Sequence, residues 1–356
     1  MLSQMTGAAS KRLKTAPITI GTHNGCFHAD EALAVYMLRL LPAYRNSQLV
    51  RTRDTELLAT CHTVVDVGGQ YDATIHRFDH HQRTFTTTFP NRMTKLSSAG
   101  LVYMHHGKAI IAQNLGVSED TAEVLTIWEK IYENFIEAVD AHDNGISEFD
   151  PAEISAAGIK KRIRCDNFTL GAMVGRLNPR WNDSVPEDPV EAQKMEDERF
   201  CLASEKIGEE FLRGLDYFTK SWLPAREIVH EAYRKRLEYD PQGRVIIFYG
   251  NSPPWKDHLY TLEQGENAAN PKVLYVLYPE NTTANSRWRI QCVPEAEGSF
   301  QSRKPLPEAW RGMRDEKLDE ITGIDGGIFV HAAGFIGGNK TLEGAKAMTM
   351  KALEMH

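Results

Sequence analysis

Cysteine has little to offer in this chain. Cys26, Cys61, Cys165, Cys201 and Cys292 are odd in number, widely scattered and never spaced as CxxC. That pattern excludes a disulfide framework and a cysteine-built zinc site. Long apolar runs are also missing. The longest, over 245–248 and 273–278, have strand length and fall far short of the roughly 18 residues that mark a bilayer span, so no transmembrane segment is expected. There is no internal repeat or low-complexity tract, and the 26 glycines and 16 prolines follow no period, which removes collagen-like architectures. Positive charge is in deficit: 41 Lys and Arg stand against 48 Asp and Glu, a formal charge of −7. Nucleic acid would therefore have to be held by a local basic groove rather than by the surface as a whole. Residues 1–16 carry Lys11, Arg12 and Lys14 but no acid and no apolar core of signal-peptide length; they read as a flexible tail, and secretion is not expected.

What is present is an ordinary globular mixture, 42% hydrophobic and 25% charged, in 356 residues, a length that favours two domains. Strands are predicted over 18–23, 49–53, 63–67 and 75–78, with a helix over 29–41 that stops before Pro42 and further helices over 97–115 and 118–139. In the second of these, Ser118, Glu119 and Asp120 read as the cap and acidic first turn. Strands alternating with helices predict an α/β fold with a largely parallel sheet over 17–185. A helical connection over 186–240 ends in the turn signal Asp240-Pro241-Gln242-Gly243, and a smaller α/β domain fills 241–356. There, strands are expected over 244–249, 272–278, 287–293 and 327–331, and helices over 308–320 and from 341.

Nine of the thirteen histidines lie within the first 143 residues, several beside carboxylates at predicted strand ends, where open α/β sheets place their ligand crevice. Four segments carry them. After the first strand comes Thr22-His23-Asn24-Gly25-Cys26-Phe27-His28-Ala29-Asp30-Glu31, whose imidazoles and carboxylates suit Mn²⁺, Zn²⁺ or Fe²⁺. Val64-Val65-Asp66-Val67-Gly68-Gly69 puts an acid at the end of a buried strand, where ionisation is costly without a cation or donors. In Asp79-His80-His81 the two rings should face opposite ways, because consecutive side chains alternate in extended chain. Asp140 and Asp143 share a face at the end of a helix, against the negative end of its dipole. Each segment taken alone also has a structural reading: Asp30 as a helix cap, Asp66 in a turn, and Asn144-Gly145 as a C-terminal turn with solvated acids.

In this order over 120 residues, the four segments resemble the motifs of the DHH phosphoesterase superfamily, which includes RecJ-type exonucleases, family II pyrophosphatases and oligoribonucleases. More narrowly, Thr22-His23-Asn24-Gly25-x-Phe27-His28-x-Asp30-Glu31, Val65-Asp66-Val67-Gly68-Gly69, Asp79-His80-His81-Gln82-Arg83 and Val139-Asp140-Ala141-x-Asp143-Asn144-Gly145 resemble the melanocyte-proliferating-gene exonuclease family. The likeness continues through Ser221 to Arg226, Gln291 to Pro294, Ser299 to Arg303 and His331 to Gly338, and so covers the chain from Pro17 onward. One departure from the wider superfamily is that His28 stands where an aspartate is usual.

The resemblance implies a DHH-type catalytic domain with an attached substrate-binding domain, and 3′-to-5′ exonuclease action on single-stranded RNA, releasing nucleoside monophosphates in RNA processing. It implies two divalent ions, Mn²⁺ ahead of Mg²⁺. One would be held by His23, His28 and Asp66, the other by Asp30, Asp66, His80 and Asp143, with Asp66 bridging. His81 would contact the phosphate or leaving group, and Asp79 and Asp140 would orient ligands. Nucleus and mitochondrion are both implied compartments, with cytoplasm open. The glycine-rich run containing His331 and Gly334 resembles the superfamily's substrate-binding motif. Lys160, Lys161, Arg162, Arg164, Arg176, Arg303 and Arg311 are basic candidates for the RNA path, and Trp181, Trp255, Trp288 and Trp310 candidates for base stacking. Hydrolysis of a small phosphate compound, or RNA binding with weak catalysis, are the competing readings.

Overall fold

A computed structural model describes residues 17–163, 165, 167–264 and 269–355. The chain divides into two compact units, one ending at Phe218 and one beginning at Thr219.

The first unit runs β1 (Thr19–Thr22), α1 (Ala29–Leu40), β2 (Gln48–Arg51), α2 (Thr55–Thr60), β3 (Thr63–Val65), β4 (Tyr71–Asp72) and β5 (Arg77–Phe78). The helices α3 (Ser98–Leu115), α4 (Ala122–Ile131), α5 (Glu137–Asp143), α6 (Pro151–Ala156), α7 (Leu170–Gly175) and α8 (Pro189–Tyr217) follow. The sheet order is β2-β1-β3-β5-β4, parallel throughout except for β4 against β5. Ala32, Leu33, Ala34, Val35, Met37 and Leu38 of α1 are all fully buried, because the helix is sandwiched between the sheet, α3 and α8. The α/β reading with a largely parallel first sheet holds.

Local differences have local causes. The segment 75–78 is not a continuous strand: a 3₁₀ turn at Ala73–Ile75 leads to left-handed His76 at φ 55° before β5 begins. The cap of α4 is Thr121, whose hydroxyl accepts the Val124 N–H, and not Ser118. Between α4 and α5 the chain makes a π turn, Tyr132–Ile136.

The second unit comprises α9 (Leu223–Arg234), α10 (Arg236–Tyr239), β6 (Val245–Ile247), α11 (Lys256–Leu262), β7 (Tyr275–Pro279), β8 (Trp288–Cys292), α12 (Asp315–Thr322), β9 (Gly327–Val330), β10 (Ile336–Asn339) and α13 (Leu342–Glu354). Its sheet, ordered β6-β7-β8-β10-β9, is antiparallel apart from β6 with β7. Strand alternation feeds two cores: Val245 and Ile247 pack toward Met348 and Trp310, while Ile246 and Phe248 pack toward Val229 and Leu259. The helix predicted over 308–320 is broken at Gly312, φ 77°, into a 3₁₀ turn at Glu308–Trp310 and α12. The segment 186–240 is shared between the units, with α8 packed on α1 and α9 packed on β6 and α11. Among the described residues no helix is long and apolar enough to cross a membrane.

Candidate metal centre

Parallel strands deliver His23 and Asp66 to the same edge of the first sheet, just beyond the ends of β1 and β3. Asp66 leaves its strand in the left-handed region, φ 58°, a conformation that costs a non-glycine residue about 1 kcal/mol. Its N–H still bonds the Phe78 carbonyl at 3.1 Å. Its carboxylate meets His23 Nε2 at 3.4 Å, His80 Nε2 at 3.5 Å and the Ser98 hydroxyl at 3.3 Å.

Both buried imidazoles are oriented from behind. His23 Nδ1 donates to the Asn24 carbonyl at 3.2 Å, which turns Nε2 toward Asp66 and toward Glu31 Oε1 at 3.2 Å. His80 Nδ1 donates to Asn144 Oδ1 at 3.3 Å; the Asn144 amide is fixed in that sense because its Nδ2 donates to the carbonyls of Lys95 and Asp140. His80 Nε2 then lies 2.9 Å from Asp143 Oδ2, yet no neighbour is placed to close a hydrogen bond on it. A buried ring nitrogen aimed among carboxylates is suited, once deprotonated, to serve as a ligand atom for a cation.

Asp30 does not cap its own helix. His28 is the N-cap of α1, and Glu31 accepts its N–H at 2.9 and 3.1 Å. Asp30 instead receives the start of α3: Oδ1 accepts from the Ser97 hydroxyl at 2.6 Å and the Ala99 N–H at 2.5 Å, and Oδ2 from the Ser98 N–H at 3.0 Å. With two lone pairs per oxygen, one position on Oδ2 remains for a ligand. The Ser97 hydroxyl is also 2.7 Å from Asp140 Oδ1, and its single proton serves one of these two carboxyl groups at a time. Asp140 accepts in addition from the Ser97 N–H at 2.9 Å and the Tyr132 hydroxyl at 2.9 Å. This close approach requires glycine at 100, where a Cβ would collide with the Asp140 carboxylate.

Asp79 Oδ1 sits 2.7 Å from His81 Nδ1 and also accepts the His81 N–H at 3.1 Å, while Oδ2 accepts the Gly69 N–H at 2.5 Å. Asp79 is thus a buried brace for His81. The two rings do not face opposite ways as alternation predicts: residues 79–82 lie outside any strand, and both rings turn to Asp66 Oδ1, His80 Nε2 at 3.5 Å and His81 Nδ1 at 3.6 Å, although His80 is buried and the His81 side chain is 61% exposed.

The fields are strong. Burial would push His23 and His80 down, but the carboxylates of Asp66 and Glu31 around the first, and of Asp143 and Asp66 around the second, outweigh it and raise both to about 10. Burial would raise Asp66, yet the same imidazoles hold it well below the usual carboxylate range. Burial, reinforced by the charges of Asp66 and Asp143, lifts Asp30 far above that range, and burial pushes Asp140 up to about 7.

Potential ligand atoms gather in three groups, each within 4.8 Å: His23, His28, Glu31 and Asp66; Asp66, His80 and His81; and Asp30, His80 and Asp143. Asp66 belongs to two groups, and mixed nitrogen and oxygen donors with preset tautomers fit divalent metal ions. All six residues named as ligands from the sequence are among them. Glu31 was missed as a member, and Ser97, Ser98 and Asn144 as supports. Their signal was present in the two hydroxyls at the start of α3 and in the amide directly after Asp143.

The remaining candidates are dispersed. Arg164 lies outside the described residues. Arg303, a candidate for the RNA path, is paired within its own unit to Glu263 at 2.7 Å and the Val273 carbonyl at 2.8 Å. Arg311 Nε donates to the Leu306 carbonyl at 3.0 Å. Gly334 is buried at φ 72° in the turn joining β9 to β10, with no room for a side chain beside Arg311, while His331 in the same turn is exposed. Trp255 and Trp310 are core residues, unavailable for stacking.

Residues 19–353 match the family described as an uncharacterised protein family (UPF0160), labelled MYG1 exonuclease. The MYG1 exonuclease of Homo sapiens is 50% identical over 344 residues, 95% of this chain and 86% of that one. The MYG1 proteins of Caenorhabditis elegans and Saccharomyces cerevisiae are 44% and 40% identical, covering 94% of this chain and 95% of their own lengths. A solved pGpG-specific phosphodiesterase from Vibrio cholerae aligns over 96% of this chain and 98% of its own, at 12% identity and a TM-score of 0.25, too slight a likeness to argue from. On the family match and on these relatives, the chain belongs to the MYG1 exonuclease family.

Proposed function

We propose that the first unit is a two-metal phosphodiesterase that removes nucleotides from the 3′ end of single-stranded RNA as nucleoside monophosphates. The observation that carries this reading is the sharing of Asp66 between two groups of ligand atoms at the sheet edge, the second of which is joined through His80 to a third with Asp30 and Asp143. Relatives named exonucleases point to nucleic acid as the substrate class. His23, Asp66, Glu31 and His28 would hold one ion, and Asp30, Asp66, His80 and Asp143 the other. Two such ions supply Lewis acidity to the attacking water and to the leaving oxygen of a phosphodiester. Imidazole donors favour Mn²⁺ over Mg²⁺, which prefers oxygen and water.

The chain's own groups divide the remaining work. Asp79 accepts from His81 Nδ1–H and raises the imidazole above its ordinary value against partial burial, which would suit the exposed His81 ring to protonating the leaving oxygen. Ser97, braced by Asp140, holds Asp30 in place.

The test is a panel of labelled RNA of graded length, single-stranded DNA, duplex RNA and pyrophosphate, each with Mn²⁺, Mg²⁺ or chelator. Single-stranded RNA should shorten stepwise from its 3′ end with Mn²⁺ and not with chelator. Turnover of pyrophosphate without cleavage of RNA would reassign the site to small phosphate compounds. Binding of RNA without cleavage in any metal would make the chain an RNA-binding protein.

A further inference from the structure

The metal centre accounts for the sequence up to Asn144 but not for the segment that follows, before α8. Over 159–181 the chain reverses its overall sign, with six basic residues and one acid in a molecule of net charge −7. In the same stretch Phe168 is 94% exposed and Trp181 96%, although rings of this size normally bury most of their surface. Neither ring hangs on a slack loop. Phe168 closes a hydrogen-bonded turn with Cys165, its N–H on the Cys165 carbonyl at 2.9 Å. Trp181 stands in the turn 180–183, which is pinned to α8 by Asp183 and Arg199 at 3.0 Å. Lys160, Arg162, Arg176 and Arg180 are exposed in the same stretch, and Arg176 reaches back to the Asn167 carbonyl beside Phe168 at 3.0 Å.

The C-terminal end of this segment is fastened beside the candidate metal centre: Asn178 brackets Phe27, which lies between His23 and His28, its Oδ1 accepting the Phe27 N–H and its Nδ2 donating to the Phe27 carbonyl, both at 2.9 Å. We propose that the described residues of 159–181 form an arm that guides single-stranded nucleic acid to the metal centre, with Phe168 and Trp181 stacking bases and Lys160, Arg162, Arg176 and Arg180 following the phosphates. The proposal rests on the phosphodiesterase reading above and assigns it a substrate path. Ring faces are reachable only on unpaired bases, so the arm favours single strands over duplex. Basic and aromatic groups together also suit an anionic lipid surface, but the anchor of Asn178 between His23 and His28 favours a strand that must reach that site.

The test uses the full chain and three probes: a labelled single-stranded oligoribonucleotide, its duplex, and phosphatidylserine vesicles, over a range of salt concentrations. Two variants are compared with the wild type, Phe168→Ala/Trp181→Ala and Lys160→Glu/Arg162→Glu/Arg176→Glu. The aromatic variant should bind the single strand at least about tenfold more weakly with its salt dependence unchanged. The charge variant should lose affinity and flatten the slope of log Kd against log salt by about 2. Wild-type affinity in either variant, equal binding of duplex, or displacement of the strand by vesicles would overturn the arm. Failure of the underlying reading looks different. In that case the wild-type chain binds the strand through these residues but does not cleave it with any metal.

Discussion

Asp66 is the residue on which the metal centre turns, because it joins two ligand groups and is held in an unfavourable backbone conformation while doing so. Asp66→Asn keeps the size and tolerates the left-handed backbone but removes the charge. We expect metal affinity to fall at least about a hundredfold and RNA hydrolysis nearly to vanish, with the circular dichroism spectrum unchanged; metal titration of the folded variant checks this, and wild-type stoichiometry would contradict it. The histidines make a separate prediction. With His23 and His80 raised to about 10, both are protonated near neutral pH before metal binds, and a cation must displace those protons. Affinity should therefore rise with pH up to about 10, and binding at neutral pH should release at least two protons. Calorimetry in buffers of different ionisation enthalpy measures that number directly. Asp79→Asn should leave metal binding intact but lower turnover, since it removes the partner that orients His81 and raises its imidazole above its ordinary value.

Among the elements, α3 contributes more than its length of buried surface, because its first turn clasps Asp30 and Asp140 together. Gly100→Ala would drive a methyl group into Asp140 and should destabilise the first unit by about 1 to 3 kcal/mol. Ser97→Ala leaves two buried carboxyl groups without their common donor, at a comparable cost of about 1 to 3 kcal/mol. Denaturant unfolding of the metal-free variants reads both. Part of this was legible in the sequence: the extents of α1 and α3, the start of α13 near Thr341, and the six ligand candidates in the four motifs. The rest depended on tertiary context. Ser118-Glu119-Asp120 has the composition of a cap, but Thr121 provides it. The π turn at 132–136 adds one residue and so rotates α5 by about 100° relative to α4; periodicity gives no sign of this, yet Tyr132 within it reaches Asp140. Strands of two residues, β4 and β5, are too short for any alternation to show.

At the scale of the whole molecule, the division falls within the helical segment rather than at the Asp240–Gly243 turn. The buried stripe of α8, Phe200, Ile207, Phe211 and Leu215, faces the first unit, while Val229 and Tyr233 of α9 join the core beneath β6. Each unit is thereby closed around its own sheet. The exposed turn at His331 makes a test of the second unit's part: His331→Ala should weaken single-stranded RNA binding while metal content stays at the wild-type level, and loss of metal in proportion would contradict that division of roles. The central claim concerns the first unit, that two divalent ions sit astride Asp66. Anomalous scattering at the manganese edge, from crystals grown with Mn²⁺, tests it most directly. The account predicts two peaks about 3.5 to 4 Å apart, one beside His23 and Glu31 and the other beside Asp30, His80 and Asp143, with Asp66 between them. A single peak, or two peaks that do not share Asp66, would contradict it.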